Sequence, residues 1–273
     1  MAIGDSWKNF WESKFASSVS NDEADRLTAA VDEDLNRLSQ AELVEFLNVQ
    51  KGESVLDAGC GSGGTAMLIH AVADRIVAVD FSAAAIERAR RRASERGVKN
   101  IEWRVGDISE MALPERAFDR ILCLSVFHYL SDDQVRKCLA SFSSLLRKGG
   151  ELVLHVKNLA SPYLRTLECA KRIRAWISPR MGLSEHFRPW RWYFRELRNH
   201  GFEVMCFNSF NLVRIEGLPS GLVRRLQKWE LEKRDSFPLS SRWLRLHGAD
   251  LKIRSKLTAG SEARQVLGNG NRH

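Results

Sequence analysis

At 273 residues the chain is long enough for one large α/β domain with appendages, and a core of that size needs no disulfide support. The five cysteines (Cys60, Cys123, Cys138, Cys169, Cys206) are odd in number and form no CxxC pair, which favours a reducing compartment and argues against a zinc site. No charged-then-apolar leader opens the chain and no apolar run approaches the roughly 18 residues of a membrane span, so a cytoplasmic protein is expected.

Charge is unevenly spread. Residues 1–150 hold 19 Lys and Arg against 23 Asp and Glu, whereas residues 151–273 hold 23 against 11, a net of +12 within the overall +8. A basic half of this kind points to an anionic partner (nucleic acid, an acidic small molecule or a membrane surface) or to a solvated Arg-rich face.

In chain order, residues 5–47 read as polar helix, with Trp7, Phe10, Trp11 and Phe15 on one face at spacings of three and four. From Lys51 onward, strands and helices alternate. Strands are predicted at Ser54–Ala58, Arg75–Asp80, Ile101–Val105, Phe118–Ser125 and Glu151–Val156. Helices are predicted at Gly63–Ala73, from a Ser82 N-cap to about Arg96 with Gly97 as stop, and over Asp132–Leu146 ended by Gly149-Gly150. Nearly all-apolar strands in such alternation imply a parallel sheet covered on both faces. Beyond Lys157 come a basic helix at 162–177, a helix at 188–200, strands at Phe202–Phe210 and Leu212–Ile215, and an amphipathic basic helix at Leu222–Arg234. The last stretch is polar, Gly- and Asn-rich and expected to be disordered.

The loop after the first strand fits two templates. Gly59, Gly61 and Gly64 satisfy GxGxxG, the dinucleotide fingerprint. Asp57 with Gly59, Gly61 and Gly63 satisfies an acidic-x-GxGxG pattern. A dinucleotide places a pyrophosphate on this loop, and the Asp57 charge would repel it. S-adenosylmethionine carries an ammonium and a sulfonium instead, so a carboxylate beside the loop favours that ligand.

In order along the chain, Val55-Leu56-Asp57-Ala58-Gly59-Cys60-Gly61-Ser62-Gly63, Val77-Ala78-Val79-Asp80-Phe81-Ser82, Gly106-Asp107-Ile108, Phe118-Asp119-Arg120-Ile121 and Leu145-Leu146-Arg147-Lys148-Gly149-Gly150-Glu151-Leu152 stand as a set. From about Lys51 to Lys157 the chain therefore resembles the class I S-adenosylmethionine-dependent methyltransferases, especially the small-molecule type of quinone biosynthesis. The resemblance implies a Rossmann-like α/β fold: a seven-stranded, mostly parallel sheet with helices on both faces and appended helices. It also implies site roles. Asp57 orients the loop and helps hold the methionine ammonium, and Gly59, Cys60 and Gly61 let the backbone approach the cofactor. Asp80 accepts from both ribose hydroxyls and Phe81 lies against the adenine. Asp107 accepts from the adenine amine, the Ile108 N–H reaches a ring nitrogen, and Ser125 lines the methionine end.

Methyl transfer to a hydroxyl needs a nucleophile aligned with the methyl and relieved of its proton. The candidate bases are His128, after the fourth strand, and His186, in the appended segment; His155 reads as a satisfied core histidine. Ser125-Val126-Phe127-His128-Tyr129 contains no Asn/Asp-Pro-Pro-aromatic motif and no Pro-Cys pair, which disfavours amino methylation and a covalent cytosine mechanism, and no metal cluster is evident. Arg172, Arg174, Arg180, Arg188 and Arg191 are candidates for phosphate or carboxylate binding, with Trp176, Trp190 and Trp192 for stacking or packing.

These readings divide the chain into an N-terminal helical lid (1–50), a methyltransferase domain (51–217) with a helical insertion at about 160–200, a basic helical extension (218–256) and a tail (257–273). The expected activity is methylation, at oxygen, of a small-molecule or carbohydrate- or lipid-linked acceptor, with negative charge on the acceptor and peripheral membrane contact by the basic helix as further expectations. The alternatives are an RNA methyltransferase, a non-catalytic cofactor-binding scaffold and a nicotinamide-dependent oxidoreductase.

Overall fold

The computed structural model describes residues 3–17, 33–177, 185–210, 225 and 250–258. Two helices, α1 (Ile3–Ser17) and α2 (Glu33–Leu47), precede the alternating region. There follow β1 (Ser54–Ala58), α3 (Gly64–Ile69), β2 (Arg75–Asp80), α4 (Ala83–Glu95), β3 (Ile101–Val105) and β4 (Phe118–Leu124). A short 3₁₀ turn at Phe127–Tyr129 leads to α5 (Asp132–Leu145), β5 (Leu146–Lys157), α6 (Pro162–Ile177), α7 (Trp190–Asn199), β6 (Phe202–Phe210) and β7 (Asp250–Leu257). No helix among the described residues is long and apolar enough to cross a membrane.

The sheet order is β3-β2-β1-β4-β5-β7-β6. The strands from β3 across to β5 run parallel, and β7 lies antiparallel between β5 and β6. Both faces are covered, which is why the central strands carry apolar residues at consecutive positions. Leu56, Val79, Ile121 and Leu154 pack with α5 and α7 through Leu139, Phe142 and Leu197. Their neighbours Val55, Ala78, Leu122 and Val153 pack on the opposite side with Leu47, Met67 and Ile86 of α2, α3 and α4.

Local chemistry sets the boundaries. Ser82 caps α4, its hydroxyl accepting from the Ala85 N–H at 3.1 Å. Ser131 and Gln134 form a reciprocal capping box at the start of α5. α3 stops at Ile69 rather than continuing to Ala73, because the Asn100 side chain takes the carbonyls of His70 and Ala73 at 2.8 and 3.0 Å. Gly149-Gly150 does not end α5; it lies inside β5, which starts directly at Leu146.

The largest departure is the seventh strand. Residues 250–256 belong to no basic helical extension: Asp250–Leu257 is a strand at the heart of the basic half. Its alternating charges read as a solvated face, yet Asp250 and Lys252 are buried. Each finds an opposite charge, Asp250 at Lys157 and Lys252 at Glu42 of α2. The expected strand at Leu212–Ile215, most of the helix at Leu222–Arg234 and most of the tail lie outside the described residues.

One buried cation joins three strand regions. Arg120 on β4 is 2% exposed and donates to Glu53 ahead of β1 and to Glu151 on β5. Arg120→Leu leaves two carboxylates facing a spot without their shared cation, and should cost about 3 kcal/mol of unfolding free energy in urea. A loss under 1 kcal/mol would show that the pair of glutamates is solvated well enough to do without it.

Candidate active site

The loop after β1 is pulled across the end of β2. The N–H groups of Gly59 and Cys60 both donate to the Val79 carbonyl, at 2.8 and 3.0 Å. Asp80, the last residue of β2, then ties two loops together: one carboxylate oxygen accepts from the Gly61 N–H at 2.9 Å and the other from the Ser82 N–H at 3.0 Å. Gly59 has φ +80°, and a Cβ there would sit 2.3 Å from Cγ2 of Val126. The loop thus rests directly on the chain leaving β4, and only glycine permits that approach.

Two carboxylates are enclosed here without a cation among the described residues. Asp57 is 2% exposed, and its Oδ2 has no hydrogen-bond partner among the described residues. Loss of solvent, then the nearby Asp80 charge, push its pKa up to about 7 against a backbone hydrogen bond from Ala66. Asp80 is also raised, by burial first, against the bonds from Ser82 and Gly61. A buried, half-satisfied carboxylate is costly unless a ligand completes it. The ligand that fits is cationic and close to the loop backbone, as the ammonium and sulfonium of S-adenosylmethionine are, and a pyrophosphate is not.

Beside the loop, Phe81, Ala83, Gly106 and Asp107 face Lys8, Asn9 and Glu12 of α1 across a cavity of about 350 Å³. Asp107 is held from both sides: Oδ2 pairs with Lys8 at 2.6 Å, and Oδ1 accepts from the Ser109 N–H and hydroxyl at 2.9 and 2.7 Å. Burial alone would raise its pKa, but these donors bring it below the ordinary value. The Ile108 side chain is in the core, leaving its backbone as the group that can face a ligand. The aromatic stripe of α1 spans this region. Trp7 and Trp11 sit 4.6 and 5.7 Å from the Tyr129 ring, and the Glu12 carboxylate accepts from the Ala84 N–H at 3.2 Å.

The two candidate bases are brought together through the backbone, the His186 N–H donating to the His128 carbonyl at 2.7 Å. The His128 ring is 2% exposed, packed 4.0 Å from Tyr129, with Nδ1 unpartnered among the described residues. Burial, then the Lys157 charge, lower its pKa from 6.5 to about 3. It is a neutral, enclosed ring. Burial and Arg188 likewise lower His186.

Arg188 is not a free anion-binding group. It is 5% exposed, pairs with Asp132 at 2.7 Å, and donates to the carbonyls of Phe127, Leu130 and His186 at 2.9, 2.6 and 3.2 Å. Its fork braces the turn that carries His128, so the expectation of bidentate acceptor binding fails for want of donors. Trp192 lies under this guanidinium at 4.7 Å, and Trp190 packs against the core. Arg191 stacks on Trp190 at 4.9 Å. The side chains of Arg172, Arg174, Trp176 and Arg180 lie outside the described residues.

Ser125 ends β4 with φ +60° and meets His155 twice: its N–H donates to the His155 carbonyl at 2.9 Å, and its hydroxyl lies 2.8 Å from Nδ1. The other ring nitrogen of His155 is 3.2 Å from Asp250. His155 is thus a satisfied histidine, as its strand position implied, but it is satisfied by the site itself. Asp250 carried no sequence signal, being some 95 residues away.

A family model for the methyltransferase domain matches residues 55–150, which hold Asp57, the loop, Asp80, Asp107 and Ser125. Residues 55–150 are a class I methyltransferase domain. Uncharacterized methyltransferase YcgJ of Bacillus subtilis (strain 168) is 32% identical over 100 residues, 37% of this chain and 39% of that protein. Demethylmenaquinone methyltransferase of Tropheryma whipplei (strain Twist) is 29% identical over 125 residues, 44% of this chain and 50% of that protein. The chain thus spans half or less of the length of these two relatives. Among solved structures, phosphoethanolamine N-methyltransferase 1 of Haemonchus contortus, in complex with phosphoethanolamine and S-adenosylhomocysteine, superposes with TM-score 0.63 at 18% identity. It covers 98% of this chain and 53% of that one. The methyltransferase domain accordingly carries the parallel part of the sheet, and β6 and β7 extend it beyond the matched residues.

Two outcomes are expected. Asp57 holds its proton more tightly folded than unfolded, so its stabilisation is complete below pH 3.8 and is lost as pH rises through about 7. His128 acts in the opposite sense, its contribution present above pH 6.5 and lost as pH falls toward 3. In a pH series of urea unfolding without ligand, Asp57→Asn should gain on the wild type from pH 4 to 7, by at most about 4 kcal/mol; parallel curves would contradict the raised carboxyl. Arg188→Ala should lose about 3 kcal/mol of stability, because the Leu130 and His186 carbonyls lose the Arg188 donor and the Phe127 carbonyl keeps only the Leu130 N–H, and a fully stable variant would refute the bracing role.

Proposed function

We propose that the chain transfers a methyl group from S-adenosylmethionine to an oxygen of a small, anionic acceptor. The observation that carries the reading is the pair of enclosed carboxylates, Asp57 and Asp80, wrapped by a loop that accepts a ligand only along its backbone. When bound, S-adenosylmethionine supplies a methyl already activated by the sulfonium charge.

The chain's own residues then bind and orient. Asp57 offers its unpartnered oxygen to the ammonium. Asp80, pre-set by the Gly61 and Ser82 N–H groups, retains lone pairs for two ribose hydroxyls. Phe81 and the cavity beside it take the adenine, with Asp107 and the Ile108 N–H at its edge. Helix α1 closes over this cavity as a lid, and its Lys8–Asp107 pair and Trp7 and Trp11 contacts keep water from the site. The acceptor enters beyond Ser125, beside the turn braced by Arg188.

The acceptor class draws on three observations. Small-molecule methyltransferases are among the relatives, demethylmenaquinone methyltransferase being one. The phosphoethanolamine enzyme shares the fold with an anionic acceptor bound. The net +12 of residues 151–273 favours negative charge in whatever approaches that half.

Asp80→Ala should weaken S-adenosylhomocysteine binding at least tenfold by calorimetry, since the ribose loses a charged hydrogen-bond partner and two loops lose their tie. Incubation of wild type with radiolabelled S-adenosylmethionine and fractionated extract should label the acidic small-molecule fraction. Label confined to RNA would replace the acceptor class, and tight dinucleotide binding without S-adenosylhomocysteine binding would overturn the reading.

A further inference from the structure

We propose that Ser125, His155 and Asp250 form a proton relay that opens on the acceptor and carries its proton away from the methyl-transfer site. The inference rests on the methyl-transfer reading above and adds to it the group that takes the proton.

Geometry gives the chain its direction. Asp250 is 2% exposed and pairs with the Lys157 ammonium at 2.5 Å, which holds it as a carboxylate. A carboxylate only accepts, so the His155 nitrogen facing it, Nε2 at 3.2 Å, carries the ring's proton. In the neutral ring Nδ1 is then a bare lone pair. The Ser125 hydroxyl at 2.8 Å from it must therefore be the donor. The serine oxygen keeps its lone pairs for a second donor, and an acceptor hydroxyl is such a donor.

Position supports the same role. Ser125 stands at the carboxyl end of β4, beside the strand that carries Asp57; Leu122 on β4 is paired with Asp57 in register. The next residue, Val126, presses on Gly59 of the loop. A non-glycine residue at φ +60° is strained by about 1 kcal/mol or more, and here the His155 carbonyl holds it by its N–H. That conformation sets the Ser125 hydroxyl on Nδ1 of His155, where the chain leaves β4 beside the glycine loop.

The step balances. The acceptor O–H passes its proton to the Ser125 oxygen as the Ser125 proton passes to Nδ1 of His155. The acceptor oxygen forms its bond to the methyl carbon, the carbon–sulfur bond breaks with its electron pair on sulfur, and the one proton released resides on His155. The resulting imidazolium faces Asp250. Other charged or titratable groups around it are Lys157 on the same strand, Lys252 opposite it in register on β7 with its partner Glu42 on α2, and His128 on the 3₁₀ turn. Ser125 is the group that meets the acceptor; His155 and Asp250 act through it as positioning residues. His128, enclosed and neutral, is left to packing.

The test uses full-length protein with ¹⁵N-labelled histidine, saturated with S-adenosylhomocysteine, and long-range ¹H–¹⁵N spectra of the rings, with His155→Gln assigning the signal. The expected result is an Nε2–H tautomer for His155, with the Nδ1 resonance shifted by Ser125→Ala and the tautomer preference lost in Asp250→Asn. An Nδ1–H tautomer in the wild type would overturn the relay, since the ring would then donate toward Ser125. In the labelled-methyl assay on the acidic small-molecule extract fraction, Ser125→Ala and His155→Gln should each lower turnover about 100-fold or more, with the S-adenosylhomocysteine affinity of His155→Gln within threefold of wild type. Turnover within threefold of wild type also overturns the relay. A wild type that does not bind S-adenosylhomocysteine fails the methyl-transfer reading itself, and the relay with it.

Discussion

The enclosure of Asp57 and Asp80 at the carboxyl ends of two adjacent parallel strands is the constraint on which the rest of the site depends. Two acidic groups out of water, with no cation to offset them among the described residues, oppose folding unless the backbone shares the load. Gly61 and Ser82 do this for Asp80. Asp57 is left with one oxygen open, in a fold otherwise generous with partners for its buried charges: Arg120 has two glutamates and Asp250 has a lysine and a histidine. That contrast is the basis for the proposed ligand position. A structural carboxylate is completed by the protein, and a binding carboxylate is completed by what it binds.

From this point the molecule is arranged in two directions. Toward β2 and β3, the cavity roofed by α1 suits a flat nucleoside base, with Asp107 and Phe81 on its floor. Toward β4 and β5, the chain leaves the strand through a strained serine and a 3₁₀ turn whose carbonyls are gathered by Arg188. That guanidinium adds donors to carbonyls that the turn's own N–H groups satisfy only in part: Phe127 accepts from Leu130 as well, and Leu130 and His186 accept from the Arg188 fork. The basic residue that looked suited to an anionic acceptor is thus engaged by Asp132 and backbone carbonyls. β7 contributes more than closure of the sheet: its first residue, Asp250, sets the tautomer of His155 and so decides which way the Ser125 hydroxyl points.

The parallel sheet and the glycine loop with its flanking acidic residues were legible because their causes are local. Strands buried on both faces need consecutive apolar residues, as in Arg75–Asp80; the predicted limits of that strand and of the edge strand Ile101–Val105 coincide with the observed ones. Gly59, Asp80 and Asp107 stand at strand ends, where a short sequence specifies both the turn and the ligand-facing group. Where a boundary depended on a distant partner the reading slipped. α3 ends early because Asn100, some 30 residues on, takes its carbonyls. Asp250–Leu257 escaped notice because its buried charges imitate a solvated face until Glu42, Lys157 and His155 are placed against them.

The sequence alone determined the order of strands and helices, the glycine loop and the acidic residues that flank it, since each follows from near neighbours and from the periodicity of burial. Only the tertiary structure decided which polar groups each histidine meets, what Arg188 does and where the last strand lies. Those outcomes depend on which polar groups meet across long sequence separations, and a hydrogen bond between residues 95 apart leaves no local pattern to read.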